Sequence, residues 1–537
     1  MQNKNLSILK TELARKFHLT KLPKNTELLI QNPKLDIKSK PSRTISGVAP
    51  VAIMTMPMKC PHGTCIFCPG GPGSYFGDVP QSYTGHEPAS MRAIRNKFDP
   101  YLQVFNRLEQ YALLNHNFEK CEVIIMSGTF LSYPKEYIDD FIKFTYKAFN
   151  DFSNLFFINN KFQFDKFKEF FELNTNFKDL ERIKKVQEKI LKIKGECNLE
   201  GEKLKNETSK CRLVALCIET KPDYGKKEHI NELLKLGTTR VEIGVQSLYD
   251  EVLKITNRGH TLQDTIEATR LMKDSFLKVT FHMMPGLSLS SREKDISMFK
   301  ELFSNQSYKP DSLKIYPCLV MPGTGLYGLW KLGKFNPISL EEAAEIITEA
   351  KKYIPKYCRI MRIQRDIPTK VTAAGVNRTN LRQYVNELLK KKNITCNCIR
   401  CREPRGKEVN WEKVKIIHEE YDASNGKEIF ISAENVSQDI LLGFVRLRIP
   451  FKPFRKEITS NSAGIRELHV YGTATALDKK GEVQHHGLGK QLMNEAERLA
   501  KEKFDIKKLL VISGIGVKEY YRNLGYKNDG VYVSKVL

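Results

Sequence analysis

Residues 59–72 read K-C-P-H-G-T-C-I-F-C-P-G-G-P and place Cys60, Cys65 and Cys68 in one loop with C-x4-C-x2-C spacing. Three thiolates this close, separated by glycine and proline, can fold around a single metal centre. On a four-iron (4Fe-4S) cluster, three cysteine ligands leave one iron open. That suits a cluster that binds a substrate or cofactor rather than one that only carries electrons. A disulfide framework fails on count, because three is odd, and no signal peptide accompanies it. The other reading is a zinc ion, which needs a fourth ligand; His62 is the nearest candidate.

Outward from this loop, the chain from about 46 to 390 alternates strand and helix patterns. Stretches 51–55, 123–126, 213–217, 241–244, 279–283 and 312–316 read as short buried strands, with helical segments such as 230–236 and 262–276 between them. Alternation of this kind predicts a parallel sheet with helices outside, an α/β partial or full barrel. The cysteine loop follows the first strand directly, at the strand end where barrel sites lie. Residues 150–211 are rich in Phe, Asn and Lys and read as a mostly helical insertion of lower functional content. Residues 391–412 carry a second cysteine group, Cys396, Cys398 and Cys401, spaced C-x-C-x2-C in hydrophilic surroundings. This suits a structural zinc at a domain junction, with Cys318, Cys358 or His418 as fourth-ligand candidates; a second iron–sulfur cluster is the alternative. From 413 to 537 the rhythm changes to strands first (414–418, 428–433, 441–447, 465–473), then a helix over 487–502, a strand over 509–513, a helix over 517–524 and a last strand over 531–536. That predicts a separate α+β domain.

At 537 residues there is length for two or three domains. No run approaches the 18 or so apolar residues of a membrane helix, so no membrane partner is expected. The formal net charge of +25 favours a polyanionic partner such as nucleic acid, although a basic background would also produce it. Residues 1–45 form a basic arm, in which 5–18 can make a short amphipathic helix with Leu6, Leu9 and Leu13 on one face. Phosphate contacts are one use for it; a solvated arm is the other. The 12 cysteines fall largely in two groups, which favours metal binding in a reducing, cytoplasmic setting.

The run from Arg43 to Pro72 resembles the entrance to the radical S-adenosylmethionine (SAM) domain of the Elongator complex protein 3 family. The resemblance continues through Q-S-Y-T-G-H-E-P (81–88), I-E-T-K-P-D (218–223), G-V-Q-S (244–247), N-R-G-H-T (257–261), H-M-M-P-G (282–286) and I-Q-R-D-I-P (363–368). It spans nearly the whole chain. It implies a 4Fe-4S cluster on Cys60, Cys65 and Cys68, with SAM on the open iron. Ser127 and Gly128 follow the second strand, where such proteins bring backbone to the methionine part of SAM; the family usually has two glycines there, so Ser127 departs from it. Glu219 ends the third strand and is expected to bind the SAM amine or ribose, unless it pairs with Lys221. Gln246 and Lys314 end later strands, where they face the cavity or pack. His282 reads equally as a ligand or a satisfied core histidine.

The last domain contains Q-H-H-G-L-G-K, Gln484 to Lys490, opening a helix. It is similar to the glycine pattern of GNAT-type acetyltransferases, in which backbone N–H groups at a helix start approach the coenzyme A pyrophosphate. The resemblance implies acetyl-CoA contacts from Gln484, Gly487, Leu488, Gly489 and Lys490 and from the strand residues Glu467, Leu468, His469 and Val470. Tyr521 or Tyr520 is expected to protonate the leaving thiolate or to steady the thioester; packing on the sheet is the bland alternative. Lys120 leads a segment that the family associates with acetyl-CoA. Together these imply a tRNA-modifying enzyme that uses SAM and acetyl-CoA to form 5-carboxymethyluridine at the wobble position. Implied partners are the tRNA anticodon stem-loop and further Elongator-like subunits or a second copy of the chain. The competing functions are a protein lysine acetyltransferase with a structural first domain, and a non-catalytic RNA-binding scaffold.

Overall fold

The computed structural model describes residues 2–35, 37–173, 179–472 and 487–537. Seven strands form one parallel sheet in strict chain order: β1 (Ala49–Met54), β2 (Lys120–Met126), β3 (Arg212–Thr220), β4 (Arg240–Gln246), β5 (Lys278–Met283), β6 (Ser312–Ile315) and β7 (Arg359–Ile363). Every neighbouring pair is parallel. Stepping always to the next position winds the sheet in one direction and puts the helices on one face, leaving an inner face as in a partial barrel. The seventh strand was not among the expected ones. Its sequence, R-I-M-R-I, is short and charged, and pairing with β6 is what makes it a strand.

The two faces are chemically distinct. On β2 the residues Cys121, Val123 and Ile125 are fully buried in the main apolar core, to which helix Pro100–Leu113 also contributes. The alternate set, Lys120, Glu122, Ile124 and Met126, is only partly buried and lines the inner face. On β4 the inner set is Arg240, Glu242 and Gly244; register places Glu219 of β3 and Thr280 of β5 beside Glu242, and Cys217 and Lys278 beside Arg240. The barrel interior is therefore polar.

The expected insertion is helical: Lys135–Phe156, Phe164–Phe170, Leu180–Lys194 and Leu199–Thr208. Its phenylalanines pack on one another, with Phe152, Phe156, Phe167 and Phe171 at 0% exposure. In the basic arm, helix Gln2–Lys16 leaves Ile8 and Leu13 exposed, as is Phe17 just beyond it. Leu13 therefore does not sit on a buried stripe; the side chains of Leu6 and Leu9 lie outside the described residues.

A second sheet follows: β8 (Val414–Ala423), β9 (Gly426–Asn435), β10 (Ile440–Ile449), β11 (Ser462–Val470), β12 (Lys508–Val511), β13 (Lys527–Asp529) and β14 (Tyr532–Val536), ordered β8-β9-β10-β11-β12-β14-β13. Only β11 and β12 run parallel, and helix Leu488–Phe504 is the long crossover between them.

The two sheets meet through a buried ionic junction. Asp311, just before β6, accepts from Arg466 at 2.9 and 2.5 Å, with Lys273 and Arg446 at 3.7 Å. Asp274 accepts from Arg448 at 2.6 Å, and Glu428 pairs with Arg466 and Arg448 at 2.8 and 3.0 Å. Close backbone approach accompanies the charges: a Cβ on Gly514 would stand 2.1 Å from the Val214 carbonyl oxygen in β3, so only glycine fits.

Candidate functional site

The loop between β1 and the hairpin Gly71–Val79 carries the three cysteines over the C-terminal ends of the strands. It is anchored from outside: Asn257 donates to Thr64 O at 2.9 Å, Ile66 N–H to Thr256 O at 3.2 Å and Leu326 N–H to Ile66 O at 2.7 Å. Cys60, Cys65 and Cys68 line one cavity with Gln81, Ser127, Gly128, Glu219, Gln246 and Glu242. Each sulfur has a polar neighbour. Arg258 Nη1 donates to Cys65 at 3.2 Å, the Ser82 N–H donates to Cys68 at 3.2 Å, and Thr129 Oγ1 lies 3.8 Å from Cys60. Donors aimed at sulfur hold thiolate ligands and tune the charge of a cluster. Without metal, burial pushes the Cys60 thiol up and the Cys68 thiol up to about 11.

The His62 question is settled by its hydrogen bonds. Lys221 Nζ lies 3.0 Å from Nδ1, and Nε2 lies 3.3 Å from Cys65 Sγ. An ammonium can only donate, so Nδ1 accepts and the ring proton sits on Nε2, facing sulfur. Burial, then the Lys221 and Arg258 charges, lower the His62 pKa to about 4 and keep the ring neutral. His62 is thus a donor to a cysteine, not a fourth ligand. Four-coordinate zinc at 2.3 Å would also draw its thiolates to about 3.8 Å from one another. Among the described residues, the group of cysteines with sulfurs inside 4.8 Å is Cys396, Cys398 and Cys401, not the first triad. The wider spacing of Cys60, Cys65 and Cys68 fits ligands on different irons of one cluster.

The cysteine cavity also offers free polar atoms to a ligand. Ser127 Oγ, Thr220 Oγ1 and Gln246 Oε1 are buried with no hydrogen-bond partner, and Ser127, Thr220 and Gln246 all line the cavity. Gln246 (φ 69°) and Ser82 (φ 73°) hold left-handed backbone there, a strain that is concentrated at functional sites. A Cβ on Gly128 would lie 2.6 Å from Gln81 Cβ and 3.0 Å from Cys60 Sγ, so glycine is required where Ser127 is tolerated. The Glu219–Lys221 pair weighed from sequence does not form. Glu219 accepts from Tyr83 Oη at 2.8 Å and faces Lys314 at 3.6 Å, while Lys221, beyond the strand end, turns to Asp223 and His62. Lys314 is engaged by Glu242 and Glu219, which offset the cost of burial and push its ammonium pKa up. His282 Nε2 donates to Glu242 Oε2 at 2.8 Å. Glu242 and Arg240 were not singled out from sequence. Their signal is the alternation in R-V-E-I-G, which puts charge on one face of a buried strand. Arg258 stood inside a quoted motif without a role.

A second cavity lies at the opposite, N-terminal ends of the same strands, between the two sheets. Lys120, Glu467, Leu468, His469, Val470, Tyr520 and Tyr521 all line it. Burial lowers Lys120 to about 8, against the pull of Glu119. Tyr520 is 38% exposed, and its hydroxyl would touch a Cβ on Gly489 at 2.8 Å, so the helix start and the tyrosine abut. Tyr521 is 6% exposed and packs in the apolar core of this half, so the packing alternative describes Tyr521 better than Tyr520. Glu467 is taken up by Lys278 and by Arg446 at 2.9 Å, and His469 Nε2 lies 2.8 Å from Ser46 O. Gly487 caps helix Leu488–Phe504 with φ 81°; Leu488 is buried and Lys490 exposed. Gln484 lies outside the described residues.

At the second cysteine group, Lys351 Nζ sits 3.7 Å from Cys401 Sγ and is itself buried. Hydrogen bonds from Cys396 and Cys401 hold the Cys398 thiol well below its usual range. His418 instead pairs with Glu495 at 2.8 Å, and Cys318 packs near Cys65 and Phe67.

The Radical SAM superfamily model matches residues 54–299, and the Radical_SAM C-terminal domain model matches 310–391. The chain is 48% identical to a tRNA uridine(34) acetyltransferase of Methanocaldococcus infernus, over 100% of this chain and 96% of the relative. It is 40% identical to the Elongator complex protein 3 of Saccharomyces cerevisiae, over 99% of this chain and 92% of that one. A solved structure, the archaeal Methanocaldococcus infernus Elp3 with an N-terminal deletion, matches with TM-score 0.75 and 44% identity, covering 92% of this chain and 100% of that chain. Among the described residues, no helix is long and apolar enough to cross a membrane.

Proposed function

This chain belongs to the Elongator complex protein 3 family, and from that premise we propose that it modifies the wobble uridine of tRNA. The finer reading is 5-carboxymethyluridine formation from acetyl-CoA: the acetyl methyl group loses one hydrogen atom, its carbon becomes bonded to carbon 5 of uracil, the carbon 5 hydrogen leaves as a proton with one electron, and thioester hydrolysis releases coenzyme A and leaves the carboxylate. When bound, the 4Fe-4S cluster and SAM would supply the radical chemistry that accepts the hydrogen atom from the acetyl methyl group and would take back the electron. The chain's own residues then have these parts. Cys60, Cys65 and Cys68 hold the cluster, with Arg258 and the Ser82 amide donating to two of the sulfurs. Ser127, Glu219 and Gln246 orient the polar groups of SAM. The second half is read as a GNAT-type domain whose glycine loop, Gly487–Gly489, takes the pyrophosphate. Lys120 and Tyr520 face the thioester end, with Tyr521 packed behind. Cys396, Cys398 and Cys401 hold a structural zinc whose thiolate charge Lys351 balances. The anticodon stem-loop is held by phosphate contacts to the basic surface, as the net charge of +25 favours.

The observation that carries this reading is the presence of two cavities at opposite ends of one set of strands, one lined by the cysteine triad and the other by Lys120 and the tyrosines. A protein acetyltransferase with a merely structural first domain has no use for an open iron. The test is acetyl-CoA hydrolysis with and without tRNA. Hydrolysis is expected to be slow alone and to rise at least 10-fold with tRNA. Lys120→Ala and Tyr520→Phe are each expected to lower the stimulated rate while tRNA affinity stays within a few-fold. Because Lys120 titrates at about 8, its contribution to holding anionic acetyl-CoA is present below that pH and lost as pH rises through it. Equal hydrolysis with and without tRNA, in protein shown to bind tRNA, returns the acetyltransferase reading to first place.

A further inference from the structure

The two cavities share the inner face of the barrel, and on β4 the side chains of Arg240 and Glu242 stand between them. Arg240 and Glu122 line the interdomain cavity, and Glu242 lines the cysteine cavity. Arg240 and Glu242 are two residues apart on β4 and point to the same inner face. Arg240 Nη1 donates to Glu242 Oε1 at 2.8 Å and lies 2.9 Å from Met361 Sδ; Nη2 lies 2.8 Å from Glu122 Oε1. Arg240 is 2% exposed and Glu242 is 0% exposed, so this partition is buried.

If acetyl-CoA binds at one end of these strands and its methyl group reacts at the other, the acyl end has to cross that partition. Seven residues of β2 span about 20 Å, and the inner face of the sheet is the direct path between its two ends. The partition is also built so that it can open. Breaking a buried ion pair is costly when it leaves a charge alone. Here it leaves none alone: Arg240 keeps Glu122, and Glu242 keeps Lys314 and His282. The third member, Met361, is half-buried and has an unbranched, adaptable side chain. A group with two sets of partners and one removable contact is a two-position element. Closed, it keeps a reactive site apart from a hydrolytic one.

Resting on the acetyl-CoA reading above, we propose that the Arg240–Glu242 contact, with Met361, is an internal gate through which the acyl end of acetyl-CoA passes from the interdomain cavity to the cysteine cavity. The gate needs no covalent step. Its opening is the release of the Arg240 Nη1 contact to Glu242 while Nη2 keeps Glu122.

The test reads position, not turnover. Full-length protein is irradiated with an acyl-CoA carrying a terminal diazirine, with and without tRNA, and labelled peptides are mapped by mass spectrometry. Without tRNA, label is expected on the interdomain side, at Lys120 and Tyr520. With tRNA, label is expected also beyond Arg240, on peptides carrying Glu219 and His282. Met361→Trp fills the opening and is expected to cut the far-side label at least 10-fold while the near-side label persists. Glu242→Gln removes the charge that holds Arg240 across the opening and is expected to give far-side label without tRNA. The two variants push in opposite directions, so a folding defect in one does not imitate the result. Near-side label in every sample with no far-side label in the parent plus tRNA overturns the gate and leaves the acetyl-CoA reading standing, as does far-side label that Met361→Trp leaves unchanged. No label on either side overturns the acetyl-CoA reading and the gate with it.

Discussion

Replacing Cys60, Cys65 and Cys68 together by alanine is expected to reduce bound iron to background and abolish SAM cleavage in a protein that still folds. The sulfurs stand in a loop above the sheet, not within it. Only Cys65 of the three is buried, at 5% exposure, in a small apolar group with Phe67 and Met284 that is separate from the main core. The loop stays tied down by bonds that involve no cysteine side chain, from Asn257 to Thr64 O and from Leu326 N–H to Ile66 O. Loss of three partly buried thiols therefore costs about 1–3 kcal/mol, within the ordinary range for substitutions of this kind. Iron analysis and circular dichroism after anaerobic reconstitution check it. Parent-like iron in the triple variant would move the cluster elsewhere. A variant lacking both iron and secondary structure would show instead that the loop is needed for folding.

Asp311→Ala is expected to destabilise the junction between the two sheets by about 3–5 kcal/mol, because it strips partners from a buried cation. Asp311 and Arg466 are both 0% exposed on their side chains, and Asp311 takes two of the Arg466 hydrogen bonds. Without it, Arg466 keeps Glu428 alone among the carboxylates, and Lys273 and Arg446 lose a counter-charge at 3.7 Å. A chain of this size need not unfold in one step. The readouts are therefore the first transition in a melt and the rate of proteolysis between residues 391 and 412. Lys226→Ala is the comparison: its pairs with Asp264 and Glu267 lie at the surface, where such contacts are worth about 0–1 kcal/mol. Similar losses in both variants would contradict a junction held by buried charge.

The pH dependence of the junction follows with a definite sign. Burial would raise the Glu467 pKa, but Lys278 and Arg446 outweigh it and hold the carboxyl at about 2. Its folded pKa lies below the unfolded value of about 4.3. Its contribution is present above that value and is lost as pH falls toward 2. Burial likewise would raise Asp311, yet Arg466, Lys273 and Arg446 hold it far below the usual carboxylate range. Acid is therefore expected to loosen the junction progressively as pH falls from about 4 toward 2.

The sequence by itself determined what local pattern can carry. Thiolate ligands must be cysteines at short spacing around glycine and proline, so the triad is legible in 59–72 without coordinates. A parallel strand buried on its outer face must be apolar at alternate positions, so six of the seven barrel strands could be read directly. Glycine where no Cβ fits, at Gly128, leaves its mark in the same way.

What only the tertiary structure decided is which charges meet. Glu219 could as well have paired with Lys221, its neighbour in the chain, as with Lys314, 95 positions away; the turn after Thr220 carries Lys221 to His62 and leaves Glu219 to Tyr83 and Lys314. His62 read as a possible ligand until Lys221 fixed its tautomer. Glu242 and Arg240 are ordinary strand residues in sequence, and become a partition between two cavities only when β2, β4 and β7 bring Glu122 and Met361 beside them. A hydrophobic period is a property of one segment, set by backbone geometry. A charge partner is chosen by distance in three dimensions, through the low-dielectric interior that makes an unpaired ion costly, and no single segment records it.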